Sequence, residues 1–278
     1  MTKEGTLVHI EGRPALRFER RYAHPLPRVW RAVTDPSEMA AWFPSSVEGE
    51  RALGAELAFV DESQRAAAKE AGEPTRDDGG PALTGRDVAY DPPNVFSFTW
   101  GGELLRFELT PDGDGTVLVF TQLLSHQSVA ARNGAGWHQC LAGLDRLLGG
   151  GAADDGGWQE VYRDYLERIG PEPGVPTGRG GLRWDRATHV GPERVREVAA
   201  DPAAWGAAEH AGEPLRWDVE PTDHGSAYRL THEAIDGDAD LAATWHALLV
   251  QLDMYLAAGQ LVPVDPEPWR KAYSRLLG

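Results

Sequence analysis

The chain has 278 residues, 41% of them hydrophobic, enough apolar material for one large core or two moderate ones. Its formal net charge of −16 opposes the counterion release that drives nucleic-acid binding, and no local basic patch offsets it. A single cysteine excludes an intrachain disulfide, no Cys/His cluster has zinc spacing, and no window has the apolar length of a signal peptide or membrane helix; the expectation is a cytoplasmic globular protein without cofactor, metal, nucleic-acid partner or membrane insertion.

Taken in chain order, residues 7–10 and 15–22 flank Glu11-Gly12-Arg13-Pro14 and read as a hairpin, with Leu16, Phe18 and Arg20 on one strand face. A helix begins near Pro27, and Asp35-Pro36 stops it and starts a second one that runs to residue 43. Residues 45–60 read as a strand pair broken at Gly54, and residues 61–80, charged and rich in Ala and Gly, as a long loop. Four strands follow over 83–90, 94–100, 104–110 and 116–123, punctuated as a meander by Asp91-Pro92-Pro93, Gly101-Gly102 and the turn ending at Gly115.

Phe96, Phe98 and Trp100 alternate onto one face, as do Phe107 with Leu109 and Leu118 with Phe120, so the sheet has an aromatic inner face. In residues 134–149, Trp137, Leu141, Leu144 and Leu148 recur at i, i+4, i+7 and i+11, one stripe of a helix that covers that face. A last short helix spans residues 158–169.

Residues 171–181 have the composition of a Pro/Gly-rich linker, and a second unit then repeats the first. Leu16-Arg17-Phe18-Glu19-Arg20 returns as Leu182-Arg183-Trp184-Asp185-Arg186 and Asp35-Pro36 as Asp201-Pro202, both 166 residues later. Arg106 and Thr121 return as Arg216 and Thr231, 110 residues later, and Trp137-His138 as Trp245-His246, 108 later, followed by Leu249, Leu252 and Leu256. The final pattern Trp158, Tyr162, Leu166 matches Trp269, Tyr273, Leu277 at 111. The missing block corresponds to roughly residues 45–103, the middle strands. The expected organisation is a complete domain over 1–170, a linker over 171–181 and a truncated domain over 182–278. Exposing the second stripe would forgo about 1.5–3 kcal/mol for each large side chain, which predicts that the truncated unit covers its open side against the first and shares its interior.

This order of strand, two short helices, antiparallel meander and long C-terminal helix resembles the helix-grip fold of the START and birch-pollen-allergen superfamily, also named SRPBCC. The motifs Leu16-Arg-Phe-Glu-Arg-Arg-Tyr-Ala-His-Pro, Val29-Trp-Arg-Ala-Val-Thr-Asp-Pro, Ala41-Trp-Phe-Pro, Tyr90-Asp-Pro-Pro and Gly136-Trp are similar to its activator-of-heat-shock-ATPase branch. The resemblance implies an α+β fold, an antiparallel sheet wrapped around a long helix with an apolar cavity between them, here a tandem di-domain with a shortened second repeat. In the second unit it implies that the strands kept, the first and the last two, adjoin one another.

Wide aromatic walls suit a flat or extended apolar ligand, and packing alone would also account for them. On that reading Trp42, Phe43, Phe59, Phe96, Phe98, Trp100, Phe107, Phe120, Trp137 and Leu141 line a site in the first unit, and Trp217, Trp245 and Leu249 in the second. His138 and His246 are candidates to hydrogen-bond a ligand carbonyl or hydroxyl; the plainer reading is a helix-face imidazole satisfied locally. Cys140 stands two residues from His138, and positions i and i+2 of a helix point apart, so it reads as core filling rather than a nucleophile. Asp77-Asp78, Asp154-Asp155 and the acidic stretch from Asp236 to Asp240 lack a calcium-loop pattern, and no phosphate-cradling glycine motif is present. No catalytic residue emerges. The superfamily resemblance implies a binding protein for a hydrophobic small molecule of polyketide or polyene type, acting as a biosynthetic carrier or receptor or in enediyne-type self-resistance, without an obligate protein partner. Two alternatives remain: a polyketide cyclase or aromatase in which His138 or His246 moves protons, and a co-chaperone-like interaction module with a filled core.

Overall fold

The structure is a computed structural model and describes residues 4–60, 83–150, 157–169, 173–178, 180–188, 190–222, 225–259, 261 and 263–278. The chain divides into two compact units, Met1–Tyr165 and Leu166–Gly278.

In the first unit β1 (Thr6–Ile10) and β2 (Arg13–Tyr22) form the expected hairpin. Its turn is Glu11-Gly12 alone, both at positive φ (51° and 80°), the two-residue geometry whose twist matches the strands it joins. Pro14, expected in the turn, lies in β2 opposite His9 near the strand start, and its carbonyl accepts the Leu124 N–H. Asp35 ends α1 (Leu26–Thr34) and caps α2 (Pro36–Met39), its carboxylate accepting the N–H groups of Ser37 and Glu38. The strand pair around Gly54 is β3 (Ser46–Glu48) with β4 (Glu56–Val60), and the loop expected over 61–80 lies outside the described residues.

The meander comprises β5 (Leu83–Asp91), β6 (Val95–Trp100), β7 (Glu103–Asp112) and β8 (Gly115–Leu123). With the earlier strands it makes one antiparallel sheet in the order β1-β2-β8-β7-β6-β5-β4-β3. Register sets Phe18, Phe120, Phe107, Phe96 and Tyr90 directly opposite one another on five consecutive strands, an aromatic ladder across the concave face. The long helix α3 (Ala130–Leu147) covers that face, starting four residues before the stretch that opens at Gly134, with the small Ala130 and Ala131 buried in its added turn. Trp137, Leu141, Leu144 and Leu148 are all buried, and α4 (Trp158–Ile169) follows. This is the α+β helix-grip arrangement.

The second unit contains β9 (Val175–Pro176), β10 (Leu182–Thr188), α5 (Pro192–Ala199), β11 (Leu215–Thr222), β12 (Gly225–His232), α6 (Ala239–Ala258) and α7 (Glu267–Leu277). Its sheet runs β11-β12-β10-β9, so β12 lies between β10 and β11. β9, inside the stretch read as linker, pairs with β10 at the edge, a position that tolerates Pro176. On α6 Trp245, Leu249 and Leu252 are buried and Leu256 is half-buried.

Each unit holds a tyrosine hydroxyl that accepts a glycine N–H. The Gly5 N–H donates to the Tyr165 hydroxyl (2.7 Å), and the Gly174 N–H donates to the Tyr273 hydroxyl (2.8 Å). No described helix is long and apolar enough to cross a membrane.

Candidate functional site

The nine aromatic residues assigned to the first unit come together. Phe107 and Phe120 stack at 4.7 Å between ring centroids, and Trp137 descends from α3 onto Phe120 at 4.5 Å. Phe96 and Phe98 lie 4.8 Å apart, and Trp42 meets Phe107 edge-on at 5.9 Å. Phe43, from the segment after α2, touches Phe59, Phe98, Trp100 and Trp137. Eight of the nine are buried; Trp100, at the end of β6 beside the Gly101-Gly102 turn, is half-buried. Mutual contact accounts for most of this burial as ordinary packing.

Polar groups that the sequence reading passed over stand at two points on the same face. At one, the Trp137 indole donates to Gln122 (2.7 Å), whose amide donates to the buried Glu103 carboxylate, which also accepts from the Ser125 backbone and hydroxyl. At the other, Arg20 on β2 lies 3.7 Å from Asp145 on α3, and the Tyr22 hydroxyl donates to Asp145 at 2.9 Å. Burial, then the Asp145 charge, raises the Tyr22 pKa well above its ordinary value, so it stays a donor. Arg20 was legible as inward-facing from its alternation with Leu16 and Phe18; its partner 125 residues away was not. The Trp42 indole is satisfied by the Ala32 carbonyl (2.9 Å), whereas the buried Trp100 Nε1 has no hydrogen-bond partner among the described residues.

The two candidate histidines sit apart from these rings. His138, one position beyond Trp137, turns to Tyr165 on α4, with ring centroids 6.1 Å apart. His246 is buried against Trp269 (4.6 Å, near-parallel), and its Nδ1 accepts from the Tyr273 hydroxyl at 2.8 Å. Burial, reinforced by the Arg186 charge, holds His246 well below its ordinary pKa, so it is neutral. Leu141, on α3, is fully buried. Half-buried Cys140 has its thiol pushed up to about 12 by burial and is no nucleophile.

In the second unit Trp217 and Trp245 both contact Trp205, a residue missing from the sequence-based set. Trp245 also lies beside His210 and His232, and its indole donates to Glu213 at 2.7 Å. His232 accepts the Ala234 N–H on Nδ1, so its Nε2–H donates to Glu213 (2.6 Å), and His210 donates to the other oxygen through Nδ1 (2.5 Å). Partial burial opposes them, but these hydrogen bonds hold Glu213 below its ordinary pKa. Leu249 is fully buried.

Residues 23–149 match the family described as Activator of Hsp90 ATPase homolog 1-like protein, a span that takes in α1, the meander and α3. The first unit is similar to this family over that span. Solved structures similar to the chain include CalU16 from Micromonospora echinospora (20% identity, 61% of this chain and 99% of that chain, TM-score 0.44). EF2215 from Enterococcus faecalis, a conserved protein of unknown function, shares 20% identity over 59% of this chain and 90% of its own, with a TM-score of 0.46. The protein encoded by BPP1335 from Bordetella parapertussis shares 26% over 60% and 92%, with a TM-score of 0.42. No curated protein matches the chain.

Within the first unit the arrangement offers an aromatic wall, one indole N–H without an acceptor among the described residues, and two hydrogen-bonded polar points. Among the described residues no His, Cys, Asp and Glu side chains are grouped to hold a metal ion.

Proposed function

We propose that the first unit binds a hydrophobic small molecule of polyketide or polyene type between its sheet and α3, as a carrier or sequestering protein. The observation that carries this reading is Trp100. Its ring belongs to the aromatic wall through Phe43, Phe59 and Trp137, it is the member of that wall that reaches solvent, and its buried N–H lacks an acceptor. An apolar surface with a few placed donors is what a small-molecule site requires, and a ligand oxygen at Trp100 would complete it. The placement of His138 and His246 favours binding over the cyclase reading, because His138 faces Tyr165 and His246 is neutral with Nδ1 engaged.

We read residues 182–278 as a shortened copy joined through 171–181, supported by the paired roles of Tyr165 and Tyr273 and of Arg20 and Arg186, each an inward arginine near an aspartate of the long helix. The test is native mass spectrometry with tryptophan-fluorescence titration against linear polyenes and aromatic polyketides, on the parent and on Trp100→Phe. Saturable quenching with the mass of an intact ligand, weakened in the variant, is the expected outcome. A changed ligand mass would establish the cyclase instead, and no binding by any apolar compound would leave the interaction module.

A further inference from the structure

The interior of the second unit holds a cation with donors to spare. Leu182, Trp184 and Arg186 share the inner face of β10, and Arg186 is 4% exposed. Its Nε lies 4.0 Å from Asp253 Oδ2 on α6, too far for a hydrogen bond, and neither Nε nor Nη2 has a partner among the described residues. These two nitrogens form the side edge of the guanidinium, whose parallel N–H bonds reach two acceptor positions or fork onto one.

The neighbouring polar groups are already engaged. The Tyr273 hydroxyl accepts from Gly174 N (2.8 Å) and Trp184 Nε1 (2.6 Å), so its single proton goes to His246 Nδ1. The Tyr228 hydroxyl donates to Asp253 Oδ1. In the first unit Arg20 differs at one nitrogen: its Nε, 3.7 Å from Asp145, is likewise without a hydrogen-bond partner among the described residues, but its Nη1 donates to the Glu19 carbonyl (3.2 Å).

We infer that the second unit has its own ligand site, in which Arg186 Nε and Nη2 donate to a carbonyl oxygen of a flat apolar ligand. Charge selects the carbonyl over a carboxylate. Arg186 and Asp253 together are neutral, His246 is neutral, and a second carboxylate at this edge would stand beside the Asp253 charge. A ketone or ester oxygen fills the donors and adds no charge. The inference rests on the reading of the chain as a binder of apolar molecules and names the ligand group at a second location.

The experiment is equilibrium dialysis of the full chain with 2-acetylnaphthalene, 2-ethylnaphthalene and 2-naphthoate. The ketone is expected to bind about tenfold or more tighter than the hydrocarbon, the value of one charge-assisted hydrogen bond. Arg186→Met should erase that preference. Asp253→Asn, which keeps the arginine and removes the facing charge, should raise naphthoate affinity about tenfold while leaving the ketone within about twofold, so a poorly folded arginine variant does not end the test. Equal binding of ketone and hydrocarbon, or an unchanged preference in Arg186→Met, would overturn the inference and leave the apolar-ligand reading standing. Naphthoate tightest in the parent would also overturn it. If none of the three binds, the inference fails, and the polyene titration separately decides the broader reading.

Discussion

Asp145→Asn isolates the buried charge pair of the first unit. The substitution keeps the shape and an oxygen for the Tyr22 hydroxyl, but leaves the Arg20 guanidinium, 4% exposed at its side chain, without the carboxylate 3.7 Å away. Removing one partner of a buried pair costs about 3–5 kcal/mol, because the surviving charge stays in the interior. Tyr22→Phe deletes one hydrogen bond and should cost about 1 kcal/mol. For a unit of this size each kcal/mol lowers the melting temperature by roughly 2–4 °C, so Asp145→Asn should melt about 6–20 °C lower. Replacing both charges, Arg20→Met with Asp145→Leu, should recover most of the loss, since neither ion is then left buried. Thermal unfolding gives the totals, and hydrogen exchange on β2 and β8 peptides assigns them to the first unit. A loss under about 1 kcal/mol for Asp145→Asn, or a double variant no more stable than it, would refute the reasoning.

Asp87 makes stability depend on pH. Burial pushes its pKa up to about 6, against the pull of the Ala52 N–H and Arg51. Its folded value exceeds the unfolded value of about 3.9, so the folded chain holds the proton more tightly; this contribution is full below about pH 4 and is lost as pH rises through 6, about 2–3 kcal/mol in all. Denaturation midpoints of Asp87→Asn should lack that decline, and parallel curves for variant and parent would count against it. A Cβ on Gly85 would lie 1.8 Å from the Thr99 carbonyl, so Gly85→Ala must part β5 from β6 and should cost about 1–3 kcal/mol in urea unfolding. With its thiol raised to about 12, Cys140 should react with a disulfide reagent at pH 8 about a hundredfold or more slower in the native chain than in urea.

The alternation of Phe96, Phe98 and Trp100, the i, i+4, i+7, i+11 stripe from Trp137 to Leu148 and the glycine and proline punctuation determined the strands, the covering helix and the concave aromatic face. These are local properties: an inward side chain is specified by the period of its own element. What only the tertiary structure decided depends on register between elements far apart in the chain. Tyr165 accepts the Gly5 N–H from 160 residues away, and Tyr273 accepts the Gly174 N–H from 99 residues away. His138 and Trp137 are neighbours in sequence, yet about 100° of helix rotation sends one to Tyr165 and the other to the sheet. Arg20 with Asp145, Gln122 with Glu103 and Arg186 with Asp253 meet across the sheet or between sheet and helix, and no periodicity encodes which polar groups will oppose one another there. The sequence could place each charge on an inner face; whether it ends satisfied or with donors free is settled by ångströms of docking between helix and sheet.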